Sequence, residues 1–292
     1  MYKAISANKR NTVIIMAVFL AVIGGLGWLS SYLAGGDPMP AIIIISVALI
    51  YTTIQYFVAG RLAVAINGGH EIQKKDAPEL YNLVENLTIA TGMPMPRIYI
   101  IQDPAPNAFA TGRNPKHGII GVTTGLLEIM NKRELEAVLA HEISHIKNYD
   151  IRVSMITFGL VSAIALIADM AIRIAFFGGR DRNNNSGYLM LIGIIAYIIA
   201  IFVAPIIQLA VGRQREYLAD ASGALATRDS EGLAMALEKL KSTSRPMQRQ
   251  NSSTAHLFFA NPMKKGFWSK LFSTHPPLED RIARLRKNKD RM

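Results

Sequence analysis

The stretch His141-Glu142-Ile143-Ser144-His145 determines the fold and the chemistry that we expect of this chain. It lies within residues 131–148, an amphipathic pattern in which Asn131 is a predicted N-cap that forms a capping box with Glu134. Because an α-helix has about 3.6 residues per turn, the two histidines project from one helix face. They can hold two positions around a tetrahedral Zn²⁺, and Glu142 is close enough to accept a proton from a water on that ion.

The H-E-x-x-H spacing is typical of zinc hydrolases, and a surface helix with two solvated histidines is the alternative interpretation. We favour zinc because the helical context that the motif requires is also present. A catalytic zinc usually has a third protein ligand and an open position for water. The chain contains no cysteine, so the third ligand must come from the other histidines or from the carboxylates.

Hydrophobic residues make up 50% of the chain and are clustered in long runs. Each run is long enough to cross a hydrocarbon core about 30 Å thick at about 1.5 Å per residue. The four predicted transmembrane helices are residues 12–33, 41–59, 151–178 and 187–211. A cleavable signal peptide is a poor interpretation of the first run, because that run is too long and a second one soon follows it.

The net charge of +11 is not accompanied by a nucleic-acid recognition motif, so we expect no nucleic-acid partner. Basic residues beside membrane spans explain the charge. The N-terminal head and the segment after the second span are basic, whereas the link between the first two spans contains no Lys or Arg. The positive-inside rule therefore predicts that the N terminus and the segment from Arg61 onward lie in the cytoplasm.

These patterns predict an α+β, mostly helical chain in which four transmembrane helices carry a cytoplasmic catalytic domain with a small β-sheet. Residues 1–60 would form an N-terminal transmembrane pair, and residues 151–212 a transmembrane hairpin. Residues 61–150 would be the first part of the catalytic domain, with the sheet and the zinc helix. Residues 213–292 would be its second part, with the third ligand and C-terminal helices.

The local patterns also predict the elements of the catalytic domain. The predicted strands are residues 97–101, 107–112 and 118–123, the last two joined as a hairpin. We expect the small sheet to present a free edge to an extended peptide. The predicted helices are residues 76–91, 215–226, 230–241 and a solvated basic helix at 279–289. Residues 242–255 are typical of a flexible link, and for residues 256–272 both docking on the membrane surface and packing on the soluble domain remain open.

Glu216 is the best candidate for the third ligand. It lies directly after the fourth predicted span, and the histidine pair lies directly before the third. A helical hairpin through the membrane would return it to the side of His141. Asp220, four residues further on, could accept the outer N–H of a ligating histidine and fix its tautomer. An exposed charged helix is the alternative. Within the third span, we expect Asp169 and Arg173 to pair on one face, although charges inside membranes are often functional.

The motifs resemble those of the M48 family of zinc metallopeptidases. The matching stretches are His141 to His145 followed by Asn148 and Asp150, Glu216-Tyr-Leu-Ala-Asp220, Asn107-Ala-Phe109 and residues 273–282. In its length and predicted spans the chain is also similar to the HtpX group of bacterial and archaeal membrane proteases. The resemblance implies a membrane-embedded gluzincin, which is a zincin-type protease, with one Zn²⁺ per chain and a cytoplasmic active site. It also implies a role in stress response and in the quality control of membrane proteins.

The resemblance implies a role for each matching residue. The implied zinc ligands are His141, His145 and Glu216, with Glu142 as general base. The implied substrate-binding edge strand contains Asn107, Ala108 and Phe109. His275 would lie near the site and could donate a hydrogen bond to the oxyanion, and a structural histidine beside two prolines is the alternative. Tyr149 and Tyr217 are other candidate donors. The remaining histidines, expected to be ordinary surface or loop residues, are His70, His117 and His256.

We therefore expect a zinc metalloendopeptidase of the cytoplasmic (inner) membrane that acts on misfolded or damaged membrane proteins or on unfolded polypeptides. An intramembrane zinc protease is disfavoured because charged residues bracket the motif. The prenyl-protein-processing branch of the same family has similar zinc motifs but resembles a larger protein with more spans. A transporter or sensor with a structural zinc would need four protein ligands, and only three are convincing in this sequence.

Overall fold

The computed structural model describes residues 2–177, 185–243, 245–249, 257–260 and 276–287. Its fold is α+β and mostly helical, as predicted, with a small sheet and several long apolar helices. The chain packs into two compact units. The first unit comprises Met1–Asn8, Ala59–Met155 and Gln208–Met292, and the second comprises Lys9–Val58 and Ile156–Ile207. The four-part domain division made from the sequence remains a prediction.

The second unit is formed by parts of four long apolar helices. These are α1 (Tyr2–Leu33), α2 (Met39–Ile66), α6 (Asp150–Phe177) and α7 (Asn185–Thr227). Within the described part of the chain, three stretches are long and apolar enough to cross a membrane: Ile5–Leu33, Met39–Ile66 and Asp150–Arg173. The fourth predicted span lies in α7, where the described apolar stretch is the shorter Met190–Ile199, so that span remains a prediction.

Two features of these helices agree with a lipid environment. Helix α2 exposes large apolar side chains, among them Ile42, Ile50 and Phe57, which water would solvate poorly and hydrocarbon would solvate well. In α6, Arg173 donates a hydrogen bond from Nε to Oδ2 of Asp169 at 2.6 Å. The predicted pairing of these two charges on one helix face is therefore confirmed.

A four-stranded sheet lies in the first unit. Its strands are β1 (Gly69–Ile72), β2 (Arg97–Ile101), β3 (Ala108–Thr111) and β4 (Ile119–Thr123), in the order β1-β2-β4-β3. Strands β1 and β2 are antiparallel, β2 and β4 are parallel, and β3 and β4 form an antiparallel hairpin. Three strands match the predicted ones. Strand β1 was missed, because a four-residue strand centred on His70 and Glu71 lacks an apolar pattern.

The helix that carries the H-E-x-x-H motif packs at the centre of the first unit. This helix, α5 (Lys132–Lys147), begins with the predicted capping box between Asn131 and Glu134. Its apolar side chains join a buried core with residues of the sheet and of three helices, α3 (Pro78–Thr91), α4 (Thr124–Ile129) and α8 (Ser230–Thr243). The motif is thus held on a rigid element whose rotation about its axis is set by burial on several sides.

The last described helix, α9 (Leu278–Lys287), corrects the prediction of a solvated basic helix. Its inner face is buried and contributes Ile282 and Leu285 to the same core. Arg281 on that face is completely buried, although arginine seldom is unless it is paired. The helix is amphipathic. Its apolar stripe is only three residues long, and the basic residues of the outer face dominate the sequence, so the stripe was not recognised.

Two segments before α9 also pack against the first unit. Phe258 and Phe259, in the described segment Leu257–Ala260, are buried, so this part of residues 256–272 packs into the first unit. Met247 is buried as well, and Gln248 N–H donates to Oδ2 of Asp103 at 2.8 Å. The prediction of a flexible link is therefore wrong at these positions.

Candidate metal centre

Three side chains from two helices converge on one point. His141 and His145 lie one turn apart on α5, and Glu216 lies in the last part of α7. The Nε2 atoms of the two histidines are 3.0 Å apart. Oε2 of Glu216 is 3.7 Å from Nε2 of His141, and its Oε1 is 3.5 Å from Nε2 of His145. The three predicted ligands thus form a group that could hold a metal ion.

The separations within this group fit a small divalent cation. Ligand atoms placed tetrahedrally at 2.0–2.2 Å from one ion lie roughly 3.3–3.6 Å from each other. The two Nε2 atoms are 3.0 Å apart, and each has one oxygen of the Glu216 carboxylate at 3.5–3.7 Å; with one ligand atom taken from each residue, all three lie within 4.8 Å of one another. A cation between them requires little movement.

Each histidine has a carboxylate at its outer nitrogen. Oδ1 of Asp220 is 3.0 Å from Nδ1 of His141, and Oδ2 of Asp150 is 3.0 Å from Nδ1 of His145. Such a contact orients the ring and keeps the proton of the neutral imidazole on Nδ1. The Nε2 atom then has the free electron pair that a metal needs. The sequence predicted Asp220 in this position. The equivalent position of Asp150 was not predicted, although this residue belongs to the motif that follows the histidines.

Arg281 joins the C-terminal helix to the centre. Its Nη1 lies 3.3 Å from Oε2 of Glu216, and its guanidinium carbon lies 4.9 Å from the ring centre of Phe259. That ring in turn packs edge-on against His141, with 4.8 Å between the ring centres. A buried cation offsets part of the negative charge that Glu216 and Asp220 bring into the interior. Arg281 lies in the stretch 273–282 that resembles the family, but the sequence analysis assigned it no role, because helical periodicity does not distinguish it from the other basic residues of α9.

Glu142 is buried beside the ligand group. Burial raises the pKa of its carboxyl to about 7, because a carboxylate is poorly solvated in the interior. The positive charge of His145 and a hydrogen bond from the backbone N–H of Ala110 act in the opposite direction. A carboxyl whose pKa lies near neutrality can both take up and give back a proton at physiological pH.

The two histidines differ in proton affinity. Burial lowers the pKa of His141 to about 4, and its hydrogen bond with Asp220 only partly opposes this effect. Burial also disfavours the charged form of His145, but its hydrogen bond with Asp150 and the negative charge of Glu216 outweigh burial and raise its pKa to about 9. In the metal-free pair one proton is therefore held, and it is held mainly at His145.

The predicted substrate strand is an edge strand, but its edge is not free. Asn107, Ala108 and Phe109 are all buried. Phe259 N–H donates to the carbonyl of Ala108 at 2.8 Å, and the Asn107 side chain donates to the carbonyl of Ala260 at 2.7 Å. The expectation of an open edge is therefore wrong at these positions. The sequence could not show that a segment some 150 residues further on pairs with this strand.

Some candidate residues lie elsewhere or outside the described part of the chain. His275 and His256 belong to the latter class. Tyr217 packs against Arg284, whose guanidinium carbon is 3.8 Å from the centre of the tyrosine ring. Within the described chain, His70 and His117 are not part of the metal-binding group, in agreement with the prediction.

The fold and this centre define a metallopeptidase: a helical H-E-x-x-H pair, a third carboxylate ligand from a second helix and a buried glutamate beside them. Residues 74–289 match the profile of peptidase family M48. The chain belongs to peptidase family M48, which confirms the resemblance seen in its motifs.

Curated relatives agree over the full length. The chain is 52% identical over 286 residues to a protein named "Protease HtpX homolog" from Tropheryma whipplei (strain Twist), covering 98% of each chain. It is 43% identical over 296 residues to a protein of the same name from Streptococcus gordonii, covering 98% of this chain and 99% of the relative. Together with the apolar helices, these relatives show a membrane metalloprotease.

A solved structure supports the fold. The crystal structure of S. mikatae Ste24p is similar with a TM-score of 0.55, covering 98% of this chain and 67% of that chain. The two sequences are 18% identical, so this comparison shows a shared fold.

Proposed function

We propose that this chain is a zinc metalloendopeptidase of the cytoplasmic (inner) membrane that hydrolyses peptide bonds of misfolded or damaged membrane proteins and of unfolded polypeptides. The observation that carries the proposal is the convergence of His141, His145 and Glu216 with inner ligand atoms 3.0 to 3.7 Å apart, beside the buried Glu142. Two imidazoles and one carboxylate, without cysteine, are a ligand set typical of a catalytic zinc.

The three ligands hold the ion, and the two outer carboxylates keep the ligands in place. Asp220 and Asp150 fix the rings of His141 and His145 so that both Nε2 atoms point to the same position. Zn²⁺, when bound, supplies a Lewis acid for the scissile carbonyl and brings the pKa of a coordinated water toward about 7. Arg281 places a positive charge beside the buried carboxylates of Glu216 and Asp220.

Glu142 is the general base. It takes the proton of the attacking water and later delivers that proton to the departing amine. Its pKa near 7 suits both steps. When the pKa of a base is close to the operating pH, the protonated and the deprotonated form are both reached at a small cost in free energy. The backbone N–H of Ala110, in strand β3, donates a hydrogen bond to the carboxylate of Glu142.

Substrate alignment is assigned to strand β3. An extended peptide would pair with the backbone of Asn107, Ala108 and Phe109 by strand addition. In the structure Leu257–Ala260 is hydrogen-bonded to this edge. That segment must therefore move away from β3 before a substrate can pair along the full strand. His275 is kept as the candidate donor to the oxyanion.

The proposed placement has the active site facing the cytoplasm. It is supported by the basic residues that flank the first two spans on one side and by their absence from the link between the spans. The chain contains no cysteine, so single cysteines can be introduced without a background signal. A cysteine at Lys74, which is exposed, should react with a membrane-impermeant maleimide in inverted inner-membrane vesicles and not in intact spheroplasts. The opposite pattern would contradict the proposed orientation.

Proteolysis in detergent tests the reaction. We expect the purified chain to carry one zinc and to cleave casein, and expect a chelator to abolish cleavage until Zn²⁺ is restored. Glu142→Gln should keep the zinc and lose at least about 100-fold in cleavage rate, since general acid–base catalysis contributes about 10²–10⁴. A variant with full zinc and wild-type cleavage would exclude Glu142 as the base. Bound zinc without any cleavage would favour the alternative of a transporter or sensor with a structural zinc, and cleavage that persists without metal would contradict the proposed reaction.

A further inference from the structure

The Asp150 carboxylate that contacts His145 also accepts a hydrogen bond from a residue near the start of the chain. Nδ2 of Asn8, on helix α1, donates to Oδ1 of Asp150 at 2.7 Å. The other oxygen of the same carboxylate, Oδ2, is the one 3.0 Å from Nδ1 of His145. A continuous chain of contacts therefore runs from the first helix to a metal ligand through a single carboxylate.

Asn8 also holds the turn that carries Asp150. Its Nδ2 donates to the carbonyl of Asn148 at 2.8 Å, so the two N–H bonds of its amide serve two acceptors on either side of Tyr149. Tyr149 has φ = 63°, in the left-handed region that residues other than glycine seldom adopt. This residue turns the chain from the end of α5 into α6. Fixing both neighbours of such a turn fixes the direction in which Asp150 points.

The contact is buried and close. Asn8, Asn148 and Asp150 are each no more than 4% exposed. Arg215 also approaches Asp150, but its Nη1 donates to the backbone carbonyl at 3.2 Å and its Nε is 4.0 Å from Oδ1. The carboxylate oxygen that faces away from His145 thus has a short side-chain hydrogen bond from Asn8 and a longer approach from Arg215. An amide can provide the short hydrogen bond without the net charge of a second cation.

We propose that Asn8 is a positioning residue of the metal site: it orients the Asp150 carboxylate, and through it the ring of His145. This inference rests on the proposed metal-binding role of His145. It gives the N-terminal helix a second task besides crossing the membrane, because the first turns of α1 complete the support of a ligand on α5. Loss of Asn8 should therefore weaken metal binding although this residue touches neither metal nor substrate.

Zinc affinity of the full-length chain in detergent provides the test, measured by competition with a chromophoric chelator. Asn8→Ala should weaken zinc binding about three- to tenfold, less than the roughly 10–100-fold expected for loss of a direct partner of a ligand. The Co²⁺-loaded variant should show a shifted visible absorption band, since the His145 ring is free to turn. If Asn8→Ala does not fold, Asn8→Ser replaces it, because a hydroxyl cannot reach both acceptors.

Asn67→Ala is the matched control. Asn67 is likewise buried, and its Nδ2 donates to the backbone carbonyl of Ala63 at 2.7 Å, but it is not connected to the metal ligands by any contact described above. This control should lose thermal stability without a change in zinc affinity or in the Co²⁺ spectrum. Equal effects of both variants on zinc affinity would mean that Asn8 has a structural role alone, and would overturn the inference.

A double-mutant cycle tests the route through Asp150. In an Asp150→Ala or Asp150→Asn background, Asn8→Ala should change zinc affinity by less than about twofold, because the group through which it acts is gone or altered. Additive effects would overturn the proposal, as would an Asn8→Ala chain with wild-type affinity. If the unaltered chain binds no zinc, the proposed function fails instead, so the two failures are distinguishable.

Discussion

Arg281 binds both carboxylate oxygens of Asp220, with Nε 2.9 Å from Oδ2 and Nη2 2.6 Å from Oδ1. Both residues are buried, and the bidentate geometry fixes one carboxylate plane. Burial disfavours the charged form of Asp220, but the positive charge of Arg281 outweighs it and holds the pKa of this carboxyl well below its usual range. The carboxylate beside His141 is therefore charged and immobile at physiological pH.

Removing Arg281 should damage both the fold and the metal site. Arg281→Ala leaves two buried carboxylates, Asp220 and Glu216, without their shared cation, and breaking a buried pair costs about 3–5 kcal/mol. We expect a lower midpoint of thermal unfolding in detergent and less zinc per chain. Both quantities can be measured on one preparation.

Arg286→Ala is the control for this prediction. Arg286 lies on the same helix, α9, and pairs with Glu231 and Glu238, but its side chain is 44% exposed. Exposed pairs contribute little to stability, so this variant should unfold near the wild-type midpoint and keep its zinc. Equal losses in the two variants would mean that α9 matters for its packing and that the contact with Asp220 does not.

Replacing the third ligand should remove the metal and leave the fold. Glu216→Gln keeps the shape of the side chain but replaces the anionic oxygen with a neutral amide, which is a poor zinc ligand. We expect zinc affinity to fall by more than the roughly 10–100-fold typical of changes around a ligand, with loss of proteolysis. Glu238→Gln, at an exposed position on α8, should bind zinc as the unaltered chain does. Full zinc occupancy in Glu216→Gln would exclude Glu216 as a ligand.

Much of the centre could be predicted because its residues lie at fixed spacings on helices. The four-residue spacing of His141 and His145 determines that they share a face, and the spacing of Glu216 and Asp220 does the same on α7. The side chains of both pairs meet in the structure. The order of the apolar runs then indicated which carboxylate would return to the histidines. Periodicity therefore identified the two pairs of the centre whose members lie one turn apart on the same helix.

The remaining supports could not be predicted, since they depend on contacts between distant parts of the chain. Arg281 is 61 residues from its partner Asp220, and Asn8 is 142 residues from Asp150. Phe259 reaches strand β3 from a segment for which the sequence left docking on the membrane surface and packing on the soluble domain both open, without indicating the strand as its partner. None of these contacts leaves a repeat or spacing in the sequence. They follow from packing, which local patterns do not contain.

Asn107→Ala should loosen the segment that covers strand β3. The Asn107 side chain donates to the Ala260 carbonyl at 2.7 Å and accepts from the Ala260 N–H at 3.0 Å, so both hydrogen bonds are lost together. Ala260 is half-buried, so leaving its backbone groups unpaired costs less than the roughly 1–3 kcal/mol of a fully buried group. We expect faster amide hydrogen exchange in the peptide that contains residues 257–260, measured by mass spectrometry. Asn114→Ala, in the turn between β3 and β4, should leave that peptide unchanged, and equal exchange in both variants would contradict the prediction.

The raised pKa of His145 predicts that zinc competes with a proton. In the metal-free chain this pKa is about 9, above the ordinary value of about 6.5, so the ring is charged at pH 7. Its contribution to the stability of the metal-free fold is complete below about pH 6.5 and is lost as the pH rises through about 9. Zinc needs the neutral ring and must displace the proton.

Zinc affinity should therefore increase with pH by up to about tenfold per unit between pH 7 and 9, and should level off above pH 9. Calorimetry at pH 7.5 in two buffers of different ionisation enthalpy should show about one proton released per zinc. Asp150→Asn replaces the anionic hydrogen-bond acceptor of His145, which contributes most to raising this pKa, with a neutral one, so its affinity should level off at a lower pH. The carboxyl of Glu142 also titrates in this range, with a pKa of about 7. The same measurements on Glu142→Gln therefore show the proton of His145 alone. A zinc affinity that is constant from pH 7 to 9 in the unaltered chain would show that His145 is already neutral there, and that its contact with Asp150 orients the ring without holding a proton on it.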